Sequence, residues 1–478
     1  KYAFTLSDNS AKPAPDQPDS DASLNPFAYG LWHEFLSEDS TQMELHFRIN
    51  ALASNVKVVF NDGEKDYIVR DYNGVRAGGY ETKIDIDTLP RGKQLMWRVD
   101  VTGAEVQKVG LVNNALKVVC PTSIDIDNNP ENLNFGTVFF VEAKPDAKDN
   151  AAFANFISNM DGAGLYLLDP DGSARKMPFQ TKNRYGYNGG KIGQTAQYFN
   201  GTEVDGYAPH RVRVSDDGRI FVSSLTPDGQ VLWEANPLLF SATDSLDWKA
   251  QSKKGWARVM AENNENTVMA TAKRSCSHTY CGINSLFTED SNEFIAGPNV
   301  GFDVRGAGDS LQLLMLSGCK DAIVENNAYH FYCSEYDLGT ATTWTTVPSR
   351  RIFRGYVHNY KEAQVQYDQY GNVWMCQNRM FQDAPTMMKF TPDGTIAYEE
   401  NPRQTFRKAG AIRFNNDFTQ VAVASSGTGE GGGITIYPVL ENGMPDWENG
   451  QELDVKATTG YSIKDFAWDY ANNLYVAA

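Results

Sequence analysis

The sequence is short of several things, and each shortage narrows what the protein can be. It has 6 cysteines in 478 residues, too few for a scaffold built on disulfides. No stretch reaches the ~18 apolar residues a membrane-spanning helix needs. Positive charge is scarce: 43 Lys and Arg stand against 60 Asp and Glu, a net charge of −17. An acidic surface of that size repels phosphate backbones, which argues against a nucleic-acid partner. Catalytic signatures are missing too, with no GxSxG, HExxH, Walker A or Rossmann fingerprint. The glycine run at Gly429–Gly433 lies between two strand-like runs and no helix follows it, so it reads as a turn rather than a phosphate cradle.

What remains is rich in strand and turn formers. Hydrophobic residues make up 41% of the chain, enough for a large core, and 23 Tyr, 25 Phe and 40 Gly favour an all-β protein with many turns. The length calls for more than one domain. The chain starts at Lys1 rather than Met, which suits a processed chain. Residues 1–25 include AKPAPDQPDSDAS and show no apolar period, so they read as a flexible tether. Such a tether fits a lipid-anchored or secreted protein at the cell surface.

Residues 26–118 read as an Ig-like β-sandwich. In MELHFRINA, Met43, Leu45, Phe47 and Ile49 alternate with polar residues, as in a strand with one wet face. Similar runs follow at Val56–Phe60, Asp66–Arg70, Tyr80–Ile86 and Leu95–Val101, separated by turn formers such as Asn73-Gly74 and Gly78-Gly79. His46 falls on the polar phase and is expected to be a solvated strand residue, not a ligand.

Residues 119–478 carry a repeat. Seven segments begin at Ser123, Arg211, Trp256, Gly301, Gln364, Ala411 and Asp465, and each is apolar at its second and fourth residues. A polar turn and a second apolar run follow each start, as in RIFVSSL and NVWMCQN. Spacings between the fourth residues are 88, 45, 45, 63, 47 and 54, mostly near the length of a four-stranded propeller blade. The 88-residue step implies an insertion around 181–208. TPDG recurs at Thr226 and Thr391 and supplies tight turns. The expected fold class is therefore all-β, an N-terminal sandwich followed by a β-propeller of about seven blades, the last incomplete, with six blades and a shared composite one as the other way to close the ring. A two-sheet sandwich array is the rival. A ring explains the repeat, because stacked sheets cover one another's faces.

LNPFAYGLWHEF, TLPRGKQLMWRVDVTG, DIDNNPENLNFGTVFFVEA and GLYLLDPDGS resemble secreted or surface-exposed proteins of Bacteroidetes that join an Ig-like domain of the flagellar-hook-cap type to a C-terminal β-propeller. The resemblance implies export and exposure at the outer surface, as a lipoprotein beside a glycan- or peptide-uptake system. It implies no particular activity.

Candidate site residues come from the loops at the mouth of the expected ring. Tyr185 and Tyr187 in the insertion, His210, Arg211, Trp256, Arg274, Gln377, Asn378 and Arg379 combine flat aromatic faces with donors and acceptors, as a carbohydrate or peptide site requires. Cys276 and Cys281 are placed for a disulfide at a hairpin mouth. A zinc site adding His278 would lack a fourth ligand. Cys333 is expected opposite Leu314 in a hairpin, and Cys120 and Cys376 as lone thiols. Asp125 and Asp127 are oxygen-rich enough for calcium, though a plain hairpin needs them as well.

The third residues of the seven starts are Asp125, Arg213, Arg258, Asp303, Gln366, Arg413 and Ala467. They should face the axis or the next blade. There they form either an Arg–Asp network that fixes the ring or a polar channel lining. Two functions from different classes follow. One is a non-catalytic surface binding or scaffold protein, the other a glycosidase or lyase acting at the ring's mouth. A subunit docked on an outer-membrane transporter is a third.

Overall fold

The computed structural model describes residues 3–6, 25–36, 41–103, 110–111, 121–132, 134–142, 164–170, 208–226, 229–235, 256–260, 301–318, 329–339, 350–357, 364–376, 387–399, 409–425, 433–453 and 463–477. Among these no helix is long and apolar enough to cross a membrane. β1 (Ala3–Leu6) belongs to the ring described below. A sandwich follows, built from β2 (Ala28–Phe35), β3 (Gln42–Ile49), β4 (Ala53–Asn61), β5 (Asp66–Val75), β6 (Gly78–Asp85) and β7 (Met96–Gly103). Its two sheets run in the orders β2-β3-β6 and β5-β4-β7. Strand alternation sends Leu45, Phe47 and Ile49 from one sheet, and Val56, Val58 and Phe60 from the other, into one core. The strands expected from alternation are present, and β2 is added to them. Its period is broken where Gly30 takes a positive φ of 60° and the register slips between Tyr29 and Trp32, a bulge.

The ring starts at β8 (Gly110–Leu111). β9 (Pro121–Ile126), β10 (Val138–Glu142) and β11 (Gly164–Leu168) make the first blade. The second is β12 (Ala208–Val214), β13 (Ile220–Thr226), β14 (Gly229–Ala235) and β15 (Trp256–Met260). The third is β16 (Phe302–Arg305), β17 (Gln312–Gly318), β18 (Tyr329–Asp337) and β19 (Arg350–Val357). The fourth is β20 (Gln364–Tyr367), β21 (Val373–Cys376), β22 (Met387–Phe390) and β23 (Ile396–Glu399). The fifth is β24 (Ala409–Phe414), β25 (Gln420–Ser425), β26 (Gly433–Pro438) and β27 (Gln451–Leu453). The last holds β28 (Asp465–Trp468) and β29 (Leu474–Ala477), with β1 and β8 added in parallel in the order β28-β29-β1-β8. The inner strands touch in sequence, β9 on β12, β12 on β16, and so on to β28, which returns to β9. The chain is thus an all-β protein with a propeller.

Two expectations are corrected. Among the described residues the ring has six sheets rather than seven, because Trp256–Met260 is the outer strand of the second blade, paired to β14. Apolar alternation marks an outer strand as readily as an inner one, so the period alone could not separate them. Ala3–Leu6, inside the expected tether, pairs with Leu474–Ala477, so both ends of the chain build the last sheet. The six other starts are the inner strands. Their second and fourth residues face the preceding blade: Ile412 and Phe414 pack on Trp374 and Cys376, and Phe466 and Trp468 on Ala422 and Ala424.

The polar turns have a common chemistry. Asp368 accepts hydrogen bonds from the backbone N–H of Asn372 at 2.9 Å and from its side chain, and Asp469 binds Asn473 the same way at 2.8 Å. Each carboxylate thereby closes the hairpin between the first and second strands of its blade. The two TPDG turns are not equivalent. The first joins β13 to β14, and the second joins β22 to β23. Their different offsets from the blade start follow from this. Cys333 stands opposite Leu316 rather than Leu314, two residues along on the same face.

Candidate functional site

Inner strands of a propeller leave one edge facing the axis, where backbone N–H groups lack a partner strand. The third residues of the starts meet that need. Asp125 accepts from Val214 N at 2.9 Å, Asp303 from Tyr367 N at 3.0 Å and Gln366 from Phe414 N at 3.1 Å. In each case the acceptor reaches the fourth residue of the following blade. First residues serve likewise: Ser123 Oγ accepts from Val212 N at 3.2 Å, and Asp465 from Ile124 N at 3.3 Å.

Arginines complete the axis. Arg413 reaches Asp125 at 3.0 Å and Asp303 at 3.3 Å, each two blades away, so these side chains meet on the axis itself. Arg213 donates to Asp465 at 2.7 Å and lies 3.8 Å from Asp303, and Arg211 lies 3.8 Å from Asp465. Three carboxylates and three guanidiniums balance in charge. Of the two readings weighed from sequence, the network that fixes the ring is the one observed, without Arg258, which lies on the outer strand β15. Burial alone would push the Asp465 carboxyl up, but Arg213, Arg211 and Arg413 together outweigh it and hold it below its usual range. For Asp303 burial prevails, and its carboxyl is pushed up despite Arg413 and Arg213, whose contacts are longer.

The expected site residues fare unevenly. Arg211 is buried beside Asp465 and donates to Lys464 O, where the chain enters β28. His210 and Trp256 lie on β12 and β15. Tyr185, Tyr187, Arg274, Gln377, Asn378, Arg379 and the pair Cys276 and Cys281 lie outside the described residues. Asp125 spends its carboxylate on Arg413, Val214 N and Ile126 N, whereas Asp127 supports the following turn through Asn129 N and Asn132. Cys376 is a thiol buried between blades and pushed up to about 12 by burial.

The structure brings together a different site, at the seam between sandwich and ring. Asn25 anchors the seam: its N–H donates to Asn473 Oδ1 at 2.6 Å and its amide to Ala471 O at 2.9 Å. Phe27 and Tyr29 pack with Phe135. Gly136, at φ 77°, is tightly packed, since a Cβ would meet Pro170, Phe27 and Tyr29 at 3.0–3.3 Å. Beside this contact opens a cleft of about 1040 Å³. One wall is β2 and β7, with Leu31, Trp32, Arg98 and Asp100. The other is the turns after β9 and β28, with Glu131, Asn132, Phe135 and Tyr470.

The bulge at Gly30 turns Leu31 and Trp32 toward this cleft. Trp32 and Tyr470 are half exposed, at 51% and 53%. Tyr470 stands edge-on to Phe135, with ring centroids 5.3 Å apart. Arg98 is held at 2.7 Å by Asp66 and 2.8 Å by Asp100, which raises its pKa further, while Asp66 is lowered to about 2 chiefly by the Arg98 hydrogen bond. The cleft therefore offers exposed aromatic faces, a fixed guanidinium, carboxylates and an amide. Sequence reasoning missed it because its lining is split among residues 26–32, 98–101, 130–135 and 470–471, which no local pattern joins.

No family model matches the chain, and no curated protein matches it. Among solved structures it is similar to a Dyadobacter fermentans protein of unknown function, with 12% identity and a TM-score of 0.40, covering 73% of this chain and 88% of that one. A DUF4784 family protein from Bacteroides caccae has 9% identity and a TM-score of 0.30, with 91% and 95% covered. The Dos1 propeller has 8% identity and a TM-score of 0.30, with 97% and 92% covered.

Proposed function

We propose that the protein is a non-catalytic binding or scaffold protein, with the propeller as platform and a ligand site in the seam cleft. The observation that carries this reading is the cleft's lining. Exposed Trp32 and Tyr470 present flat apolar faces, and Arg98, Asp100, Glu131 and Asn132 supply charge and hydrogen bonds around them. Sugar rings stack on such faces through their C–H groups while their hydroxyls bond to acids and amides, and an extended peptide can use the same set. A volume of about 1040 Å³ suits several sugar units or a short peptide. The likeness of the sequence to exported Bacteroidetes proteins supports a place at the cell surface, as an accessory lipoprotein of a glycan- or peptide-uptake system.

The axial carboxylates are committed to the ring network rather than to a substrate. Asp125, Asp303 and Asp465 are buried and engaged with arginines, whereas a glycosidase needs two carboxyl groups that reach solvent and substrate. The test is a panel of glycans and peptides, scored for retention in affinity gels and for product release, with the parent and Tyr470→Ala side by side. Retention without products, weakened in the variant, supports the reading. Turnover of any panel member refutes it, and so does retention that Tyr470→Ala leaves unchanged.

A further inference from the structure

The outer face of the sheet β2-β3-β6 gathers metal-ligating side chains away from the axis, behind the Trp32 ring that borders the cleft. Antiparallel pairing sets Glu34 opposite Glu44 and Trp32 opposite His46, and on the other side His46 opposite Glu81. Glu44 and His46 are two residues apart, so they share that face. His46 is not the solvated residue its strand phase suggests. Trp32 covers its ring, stacked at 3.7 Å between centroids and 1° between planes, and only 13% of the side chain is exposed. Its Nε2 atom is buried without a hydrogen-bond partner, 3.6 Å from Glu34 Oε1 and 3.6 Å from Glu44 Oε2. The three donor atoms lie within 4.8 Å of one another.

We propose that His46, Glu34 and Glu44 form a binding site for a divalent cation of the zinc type. The separations are too long for good hydrogen bonds. They are close to the spacing a cation demands, since ligands ~2.0–2.1 Å from a tetrahedral zinc lie about 3.3 Å apart. One nitrogen and two carboxylate oxygens are a borderline donor set, suited to zinc rather than to calcium or magnesium. Glu81 Oε1 lies 3.7 Å from Nδ1 on an exposed side chain, and a small rotation would bring it to accept a proton from that nitrogen, leaving the Nε2 lone pair facing the carboxylates. The stacked indole fixes the ring plane. Lys83, 3.7 Å from Glu44 Oε1, competes for this carboxylate and can swing into solvent, being 70% exposed. Three protein ligands leave a fourth position for water or a ligand group.

The test is equilibrium dialysis of the full chain against zinc, with cobalt substitution read by visible absorption. The parent is expected to bind one more equivalent than His46→Gln and to show tetrahedral cobalt bands that the variant lacks. Glu44→Gln, which keeps the side chain's shape at a half-buried position, should weaken that equivalent at least tenfold. Circular dichroism confirms that both variants are folded. Equal zinc uptake by parent, His46→Gln and Glu44→Gln overturns the proposal, as does a parent that takes up no zinc at ~1 mM.

Discussion

Asp465→Asn is the perturbation that most directly probes how the ring is closed. Asp465 begins the first strand of the last blade and is fully buried. Its carboxylate accepts from Ser123 Oγ and Ile124 N of the first blade and from Arg213 of the second, and Arg211 lies 3.8 Å away. One side chain therefore ties the end of the ring to its beginning. The asparagine keeps the shape and removes the charge, leaving three axial guanidiniums with two carboxylates. Breaking a buried ion pair by removing one partner costs about 3–5 kcal/mol, because the other charge stays buried without compensation.

At roughly 2 °C per kcal/mol for a large domain, the expected fall in Tm is about 6–10 °C, alongside a lower urea midpoint at unchanged m. The pH dependence has a definite sign. A carboxyl held below its usual range stabilises the fold above the unfolded pKa of about 3.9, and that stability is lost as pH falls through the lower folded value. The gap between parent and variant should therefore be full at pH 7 and narrow below about pH 4. Replacing Arg213 by Met together with Asp465→Asn should recover part of the loss. A loss under about 1 kcal/mol at pH 7, or a double variant whose loss is the plain sum of the singles, would refute the claim that this ion pair holds the ring shut.

Three further outcomes follow from other parts of the molecule. Tyr470→Ala should weaken ligand retention about tenfold or more, since exposed aromatics carry much of such binding, and leave Tm nearly unchanged. Gly394→Ala should lower Tm by several degrees, because Gly394 sits at φ 86° and an added Cβ would run into the carbonyl oxygen of Ile352 in the neighbouring blade. Asp469, fully buried, is raised to about 6 from 3.8, above all by burial, against the hydrogen bonds from Asn473. A raised carboxyl favours the fold below pH 4 and loses that advantage as pH rises to 6. Stability of the parent relative to Asp469→Asn, read from urea midpoints, should therefore fall by about 3 kcal/mol between pH 4 and 7. A flat difference would remove Asp469 as the cause.

What could be read from the sequence was periodic or local. Strand alternation in Leu45, Phe47 and Ile49 marks the sandwich core, and paired apolar residues such as Ile412 and Phe414 mark inner strands, because each obeys a two-residue period that burial on one face imposes. The Asp-to-Asn turns and the charged third residues were visible for the same reason: each blade must solve the same hairpin and the same open inner edge. Tertiary structure alone decided the rest. Trp256–Met260 carries an inner strand's pattern and sits on an outer edge, since the pattern records two faces and not a place in the sheet. Ala3–Leu6 closes the last sheet across the whole length of the chain, and Trp32 meets His46 only because a bulge shifts the register between them. The cleft between Trp32 and Tyr470 likewise exists only once the sandwich docks on the ring. Contacts between residues hundreds of positions apart leave no period in a sequence, and the proposed ligand cleft depends on them through Tyr470, whereas the proposed cation site depends on the bulged register of one strand pair.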